Sequence, residues 1–142
     1  MIKEYYWDSN KKGRQKTDVE YADNLETFIE GYDIEDVYID PSAASFILEV
    51  EKRGIHVTRA VNDVLNGIRF VGMLLSAGVF EIDDSCEYTK KEFSAYVWDE
   101  KSQIKGIDEP KKDHDHAMDR NRYGLYTRFG KFMNWSASWE NL

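Results

Sequence analysis

From Thr17 onward the chain alternates short β-type runs with amphipathic helical stretches, and this alternation most narrows the folds open to it. Val37–Asp40 predicts a strand stopped by Pro41, Ala43–Arg53 a helix with Gly54 beyond its end, and Ile55–Ala60 another strand. Asn62 or Asp63 can cap a long helix bearing Val64, Leu65, Ile68, Val71, Leu74 and Leu75, closed by Gly78. Gly67 and Gly72 inside it each cost about 1 kcal/mol against Ala, which points to close packing there. Val79–Ile82 reads as a further strand and Ser85 as the cap of a helix running towards Tyr96. Lys101–Lys112 reads as a loop, and Asp113 opens a last helix that ends near Phe129. Strands alternating with helices require crossover connections and a largely parallel sheet, so the fold class is α/β.

The segment before this alternation is less regular. Ile2–Trp7 is aromatic and reads as a strand, and Asn10–Lys16 as a polar, basic loop. Thr17-Asp-Val-Glu20 is a capping box opening a helix with Ala22, Leu25, Phe28 and Ile29 on one stripe and Gly31 at its end. The 142 residues make one domain, 1–142, with an aromatic, unpatterned tail over 130–142. No apolar run reaches the ~18–20 residues that span a bilayer, and the start lacks the basic-then-apolar layout of a signal peptide. The single cysteine, Cys86, excludes an internal disulfide framework and reads as a packing residue. A soluble, cytoplasmic protein with no membrane contact is expected.

Net charge is −8, which argues against bulk attraction to nucleic acid. The distribution matters more. Eleven of the 27 acids and none of the 19 Lys and Arg lie between Thr17 and Glu51, leaving the rest of the chain net positive by three. A DNA-binding face built from Lys11, Lys12, Arg14 and Lys16, together with Lys111, Lys112 and the region from Lys105 to Arg122, is therefore open to it; a solvated loop is the plainer reading of the first cluster.

Asp40 ends a buried-type strand, and in open α/β sheets the ligand crevice lies outside the carboxyl ends of strands. A carboxylate there can hold a divalent cation or act as a base; equally, Asp40 can be the turn residue of Asp-Pro-Ser. Asp113-His-Asp-His-Ala-Met-Asp119 is the densest run of metal-capable side chains. On a helix His116 and Asp119 share a face one turn apart, with Tyr123 a further turn along, whereas His114 and His116 diverge. Asp113 and Asp115 fit an acidic first turn that complements the helix dipole. His56 reads as a strand histidine. Gly130-Lys131 lacks the upstream glycine of a phosphate loop, which rules out ATP hydrolysis by that route.

Seven stretches, in this order, resemble a known family: Lys3-Glu-Tyr-Tyr, Gln15-Lys-Thr-Asp18, Tyr38-Ile-Asp-Pro-Ser-Ala43, Asn62-Asp-Val-Leu-Asn-Gly-Ile-Arg69, Asp83-Asp-Ser-Cys-Glu87, Tyr96-Val-Trp-Asp-Glu100 and Asp115-His-Ala-Met-Asp119. Together they resemble the C-terminal nuclease domain of tailed-phage terminase large subunits, of the type also found in defective prophages. The resemblance implies an RNase H-like sheet flanked by helices and a two-metal, Mg²⁺- or Mn²⁺-dependent endonuclease that cuts concatemeric DNA during packaging in the host cytoplasm. It implies double-stranded DNA, the terminase small subunit and the portal as partners. By motif, Asp40 matches the metal carboxylate of the second strand, and His116 and Asp119 match the metal site of the last helix.

The resemblance also implies that the strand bearing the family's first catalytic Asp, its hairpin partner and the ATPase domain precede the segment beginning at Met1. The chain is then N-terminally truncated, and its cleavage slow or absent. Its sheet would pair between chains as a homodimer, or Ile2–Trp7 would move beside Val37–Asp40 and carry Asp8 to the same sheet end. Two other readings remain. One is a non-catalytic prophage remnant that binds DNA or packaging proteins; the other is an unrelated metal hydrolase using Asp113–Asp119.

Overall fold

The computed structural model describes residues 1–94 and 116–132. In chain order the elements are α1 (Ser9–Lys12), α2 (Asp18–Ile29), β1 (Val37–Ile39), α3 (Ala44–Lys52), β2 (Val57–Arg59) and α4 (Val64–Ser76). A helix over 87–94 (α5), then α6 (His116–Phe129) and a 3₁₀ turn at Gly130–Phe132 complete them. The fold is mixed α/β. Among the described residues its sheet has two parallel strands, with Val37 opposite Val57 and Ile39 opposite Arg59.

Local chemistry accounts for most of these elements. In α2 the Thr17 hydroxyl accepts from the Glu20 amide at 3.2 Å, and the Glu20 carboxylate accepts from the Thr17 amide at 2.8 Å, so the expected capping box forms. Gly54 follows α3 at φ 78°, a left-handed stop that glycine adopts without a Cβ penalty. Ile47 and Val50 of α3 are fully buried, and with Ala22 of α2, Ile39 of β1 and Val57 of β2 they form the core. Burying each large aliphatic side chain contributes roughly 1.5–3 kcal/mol. At the entry to β1, one oxygen of Asp36 accepts from the Val37 amide and lies 3.0 Å from His56 Nδ1; the other accepts from the Thr58 hydroxyl at 2.7 Å. One carboxylate thus clamps the two strands together. His56 itself lies one residue before β2, with its side chain mostly exposed.

Two expected strands are corrected. Ile2–Trp7 is not a strand and does not pair with β1, so the expected route of Asp8 to the sheet end does not form. Its side chains are claimed by distant groups instead. Glu4 accepts from the backbone amides of Tyr88 and Thr89 at 2.7 and 3.0 Å and from the Thr89 hydroxyl at 2.8 Å, capping α5 from 84–85 residues away. Lys3 donates to the Phe28 carbonyl and lies 4.4 Å from the ring centroids of both Phe28 and Tyr32. Asp8 caps α1, a short helix where a loop was expected. Val79–Ile82 is also not a strand; Met1 instead bonds to Glu81 and Asp83 through single backbone contacts. Ser85 donates to Asp83 rather than capping α5, because Glu4 already serves the amides there. Tyr96, Lys101–Lys112 and Asp113 lie outside the described residues.

Helix α4 packs on α6. The Asp63 side chain accepts from the Asn66 amide as its cap, and Phe70 meets Tyr126 edge-on at 5.8 Å. Gly67 is buried, and a Cβ built there would lie 2.3 Å from Arg122 Cγ and 2.5 Å from Cδ, whereas one at Gly72 would meet nothing within 4 Å. The close packing expected at both glycines is thus found at Gly67 alone. Urea denaturation should accordingly show Gly67→Ala losing about 1–3 kcal/mol to overpacking and Gly72→Ala gaining up to ~1 kcal/mol.

Burial opposes ionisation of Asp36, but bonds from Thr58, His56 and the Val37 amide outweigh it and hold its pKa below the ordinary value. A lowered pKa means the ionised group stabilises the fold above the unfolded value and ceases to do so as pH falls through the folded one. Unfolding midpoints should therefore drop below about pH 4, and less steeply in Asp36→Asn than in the parent.

Candidate active site

Asp40 follows Ile39 at the carboxyl end of β1. Its carbonyl accepts from the Ala43 amide at 3.0 Å, and its Oδ1 from the Ser42 amide at 2.8 Å. Asp40 is therefore the turn residue of Asp-Pro-Ser, and it is also more than that. Its Oδ2 accepts from the Tyr123 hydroxyl of α6 at 2.8 Å, so each oxygen has a separate partner. Burial raises the pKa of this carboxyl, but the Ser42 and Tyr123 donors and the charge of Arg122 together hold it below the usual value. Burial and the same bond push the Tyr123 hydroxyl up to about 12.

Helix α6 brings the other candidates to this point. Its first amides, at Ala117 and Met118, donate to Glu92 of α5 at 2.6 and 3.2 Å, which fixes the helix start; burial raises the Glu92 pKa despite those bonds. His116, Asp119 and Tyr123 share one face of α6. With Asp40, Leu25, Val37, Ile39 and Arg120 they line a cavity of about 350 Å³ beside β1. The three expected site residues therefore stand around one cavity.

Two carboxylates are the donor chemistry of a hard divalent ion, and an imidazole is the donor of softer transition ions. Their arrangement is less favourable. Among the described residues no three His, Cys, Asp or Glu side chains stand close enough to hold a metal ion. Asp119 Oδ1 accepts from the Arg122 guanidinium at 2.8 Å, and Arg122 also donates to Asn62 Oδ1 at 3.1 Å. Arg122 is 3% exposed, its guanidinium 4.6 Å from the Tyr123 ring centroid. The sequence placed Arg122 only at the end of a basic, DNA-contacting region, because an arginine in a polar helix ordinarily reads as solvated; the structure buries it instead. The signal that pointed to it was Gly67 on the facing helix.

The basic candidates divide. Lys111 and Lys112 lie outside the described residues, as do Asp113, His114 and Asp115. Arg14 donates to both oxygens of Glu20 at 2.8 and 3.2 Å, bonds that bring the Glu20 pKa down to about 2, and Lys11 lies 3.7 Å from Asp8. Lys12 and Lys16 have no carboxylate partner among the described residues; their ammonium groups lie 6.0 and 4.1 Å from the Trp7 ring centroid.

No family model matches the chain. It is 26% identical over 127 residues to the terminase large subunit of Escherichia phage T5, covering 87% of this chain and 29% of that protein. It also matches the large terminase of a thermophilic bacteriophage, at 43% identity and a TM-score of 0.77 over 87% of this chain and 32% of that one. The same thermophilic terminase in complex with ATP-γ-S gives 44% and 0.79 over the same shares. The chain is homologous to part of the phage large terminase. It spans about a third of the length of the terminases it matches. Among its described residues no helix is long and apolar enough to cross a membrane.

The Tyr123–Asp40 bond ties α6 to the end of β1, and bonds to charged groups contribute about 1.5–3 kcal/mol. Tyr123→Phe should lose about 1.5 kcal/mol in urea denaturation. Its ultraviolet titration should lose one tyrosine from the late-ionising group to which Tyr6 and Tyr126 also belong.

Proposed function

We propose that the chain serves phage DNA packaging as an RNase H-like, metal-dependent endodeoxyribonuclease segment of large-terminase type. Asp40, His116 and Asp119 are its contribution to the site, Mg²⁺ or Mn²⁺ the cofactor and duplex DNA the substrate. The observation that carries this reading is that a carboxylate at a strand's carboxyl end and a His/Asp pair on one helical face line the same cavity. Homology to the large terminases of phage T5 and of the thermophilic phage supports it. A divalent ion supplies water activation and charge stabilisation in phosphodiester hydrolysis. This chain's own residues keep Asp40 ionised, aim Asp119 through Arg122, and offer Lys12 and Lys16 beside Trp7 to the phosphate backbone. The terminase small subunit and portal are the proposed packaging partners.

A second reading has its own observation. The pairing of Asp119 with Arg122 suits a chain that binds DNA without cutting it.

Nicking of supercoiled plasmid in Mn²⁺ separates the two. Slow nicking that falls at least ~10-fold in Asp40→Ala, a loss of about 1.4 kcal/mol of transition-state stabilisation, is the expected result. Nicking that survives Asp40→Ala overturns the site, and duplex binding without nicking selects the second reading. In either case Lys12→Glu/Lys16→Glu should weaken duplex binding and flatten the slope of log affinity against log salt by about 2, because each lost phosphate contact releases about one counterion fewer. An unchanged slope removes this pair from the interface.

A further inference from the structure

We propose that Arg122, buried behind the wall of the Asp40–Asp119 cavity, is the resident counter-cation of Asp119, so that one of the two carboxylates is neutralised without a metal and a divalent ion enters only by taking Asp119 Oδ1 from the guanidinium. This rests on the nuclease reading for the identity of the ion, and on the following geometry for the rest.

The Arg122 side chain is almost completely buried, and a buried guanidinium persists only where anions and acceptors compensate it. Its compensation comes from the site itself. One Nη donates to Asp119 Oδ1 at 2.8 Å and the other to Asn62 Oδ1 at 3.1 Å. Its planar face rests on Tyr123, whose hydroxyl donates to Asp40, and its charge acts on Asp40 as well. The aliphatic stem lies against Gly67, where any side chain would displace it. The arginine is thus built in from four sides: Gly67 below, Asn62 at one Nη, Asp119 at the other and Tyr123 across its face. Arg120 adds a second positive group to the cavity wall, its own bonds going to Thr89 and Glu4. With Arg120 already paired to Glu4, Asp40 and Asp119 are opposed by Arg122 alone, which neutralises one of the two charges that would attract a divalent ion. Among the described residues no three His, Cys, Asp or Glu side chains close on an ion-sized point, in keeping with an Asp119 already held by a cation.

The test is Mn²⁺ binding in the absence of DNA, by calorimetry and by loss of the free-ion electron paramagnetic resonance signal. Arg122→Gln keeps an amide that can reach Asn62 and removes the charge; it should bind Mn²⁺ at least ~10-fold more tightly than the parent, since an uncompensated carboxylate pair attracts the ion more strongly. Arg122→Lys keeps the charge and should stay within about threefold of the parent, because a point cation still opposes the ion. Equal or weaker binding by Arg122→Gln overturns the proposal. Circular dichroism establishes that each variant is folded. Should Arg122→Gln not fold, the parent alone decides: during a Mg²⁺ titration the Arg122 guanidinium protons, protected at the outset, should exchange faster as the ion binds. A guanidinium unaffected by Mg²⁺ up to about 50-fold molar excess overturns it. The outcome is separable from that of the nuclease reading. Asp40-dependent nicking alongside unchanged Mn²⁺ affinity in Arg122→Gln refutes the resident cation alone. Tighter Mn²⁺ binding by Arg122→Gln with no nicking by any variant refutes the nuclease alone.

Discussion

The close approach of α6 to α4 at Gly67 is the constraint on which the site depends. Where every other residue would present a Cβ, α4 presents bare backbone, and the stem of Arg122 fills that space. Only at this spacing does Phe70 reach Tyr126 edge-on and Tyr123 reach the end of β1. The glycine's unfavourable helix propensity is offset by the packing it permits, in keeping with tertiary contact rather than propensity stabilising most protein helices. The sheet itself depends on the same contacts. Two three-residue strands are marginal in isolation, and these are held by helices α2 and α3 around Ile39 and Val57 and by α6 against β1.

The second structural node lies two residues before Arg122 on α6, at Arg120. Glu4 takes the first amides of α5 and a guanidinium bond from Arg120, so one carboxylate joins the N-terminal segment, α5 and α6. Burial opposes its ionisation, yet bonds from Thr89, Tyr88 and Arg120 hold its pKa below the ordinary value. Such a group stabilises the fold as an anion and holds the N-terminal segment in place without a sheet.

What the sequence made legible divides by range of interaction. The Thr17–Glu20 box, the Asp63 cap and the glycine stops at Gly31, Gly54 and Gly78 depend on neighbours within a few residues, and all were readable as written. β1, α3 and β2 were readable because their apolar residues carry the right periods between clear terminators. Ile2–Trp7 was not, because its aromatic content measures fitness for a packed surface rather than for a ladder. Its decisive contacts, from Glu4 to α5, bridge more than eighty residues. Val79–Ile82 failed likewise: apolar character without a partner strand does not make a strand.

The candidate site shows the same division within single side chains. Asp40 was open to two readings, turn residue or site carboxylate; the structure gives Oδ1 to the turn and Oδ2 to Tyr123 at the cavity wall. The turn fixes the carboxylate's orientation from its own side of the chain, because Ser42 is two residues away; Tyr123 fixes it from the far side, because α6 is anchored by Glu92 at its start and Gly67 at its middle. A carboxylate restrained by two independent elements loses little conformational freedom when a charged ligand approaches, so more of the interaction is available for binding. Asp119 is restrained differently: its partner is a cation rather than a hydroxyl, and that cation competes with any metal for the same oxygen. On the proposed nuclease reading, the asymmetry between a carboxylate held by neutral donors and one held by a guanidinium would make Asp40 the fixed ligand of this cavity and Asp119 the exchangeable one.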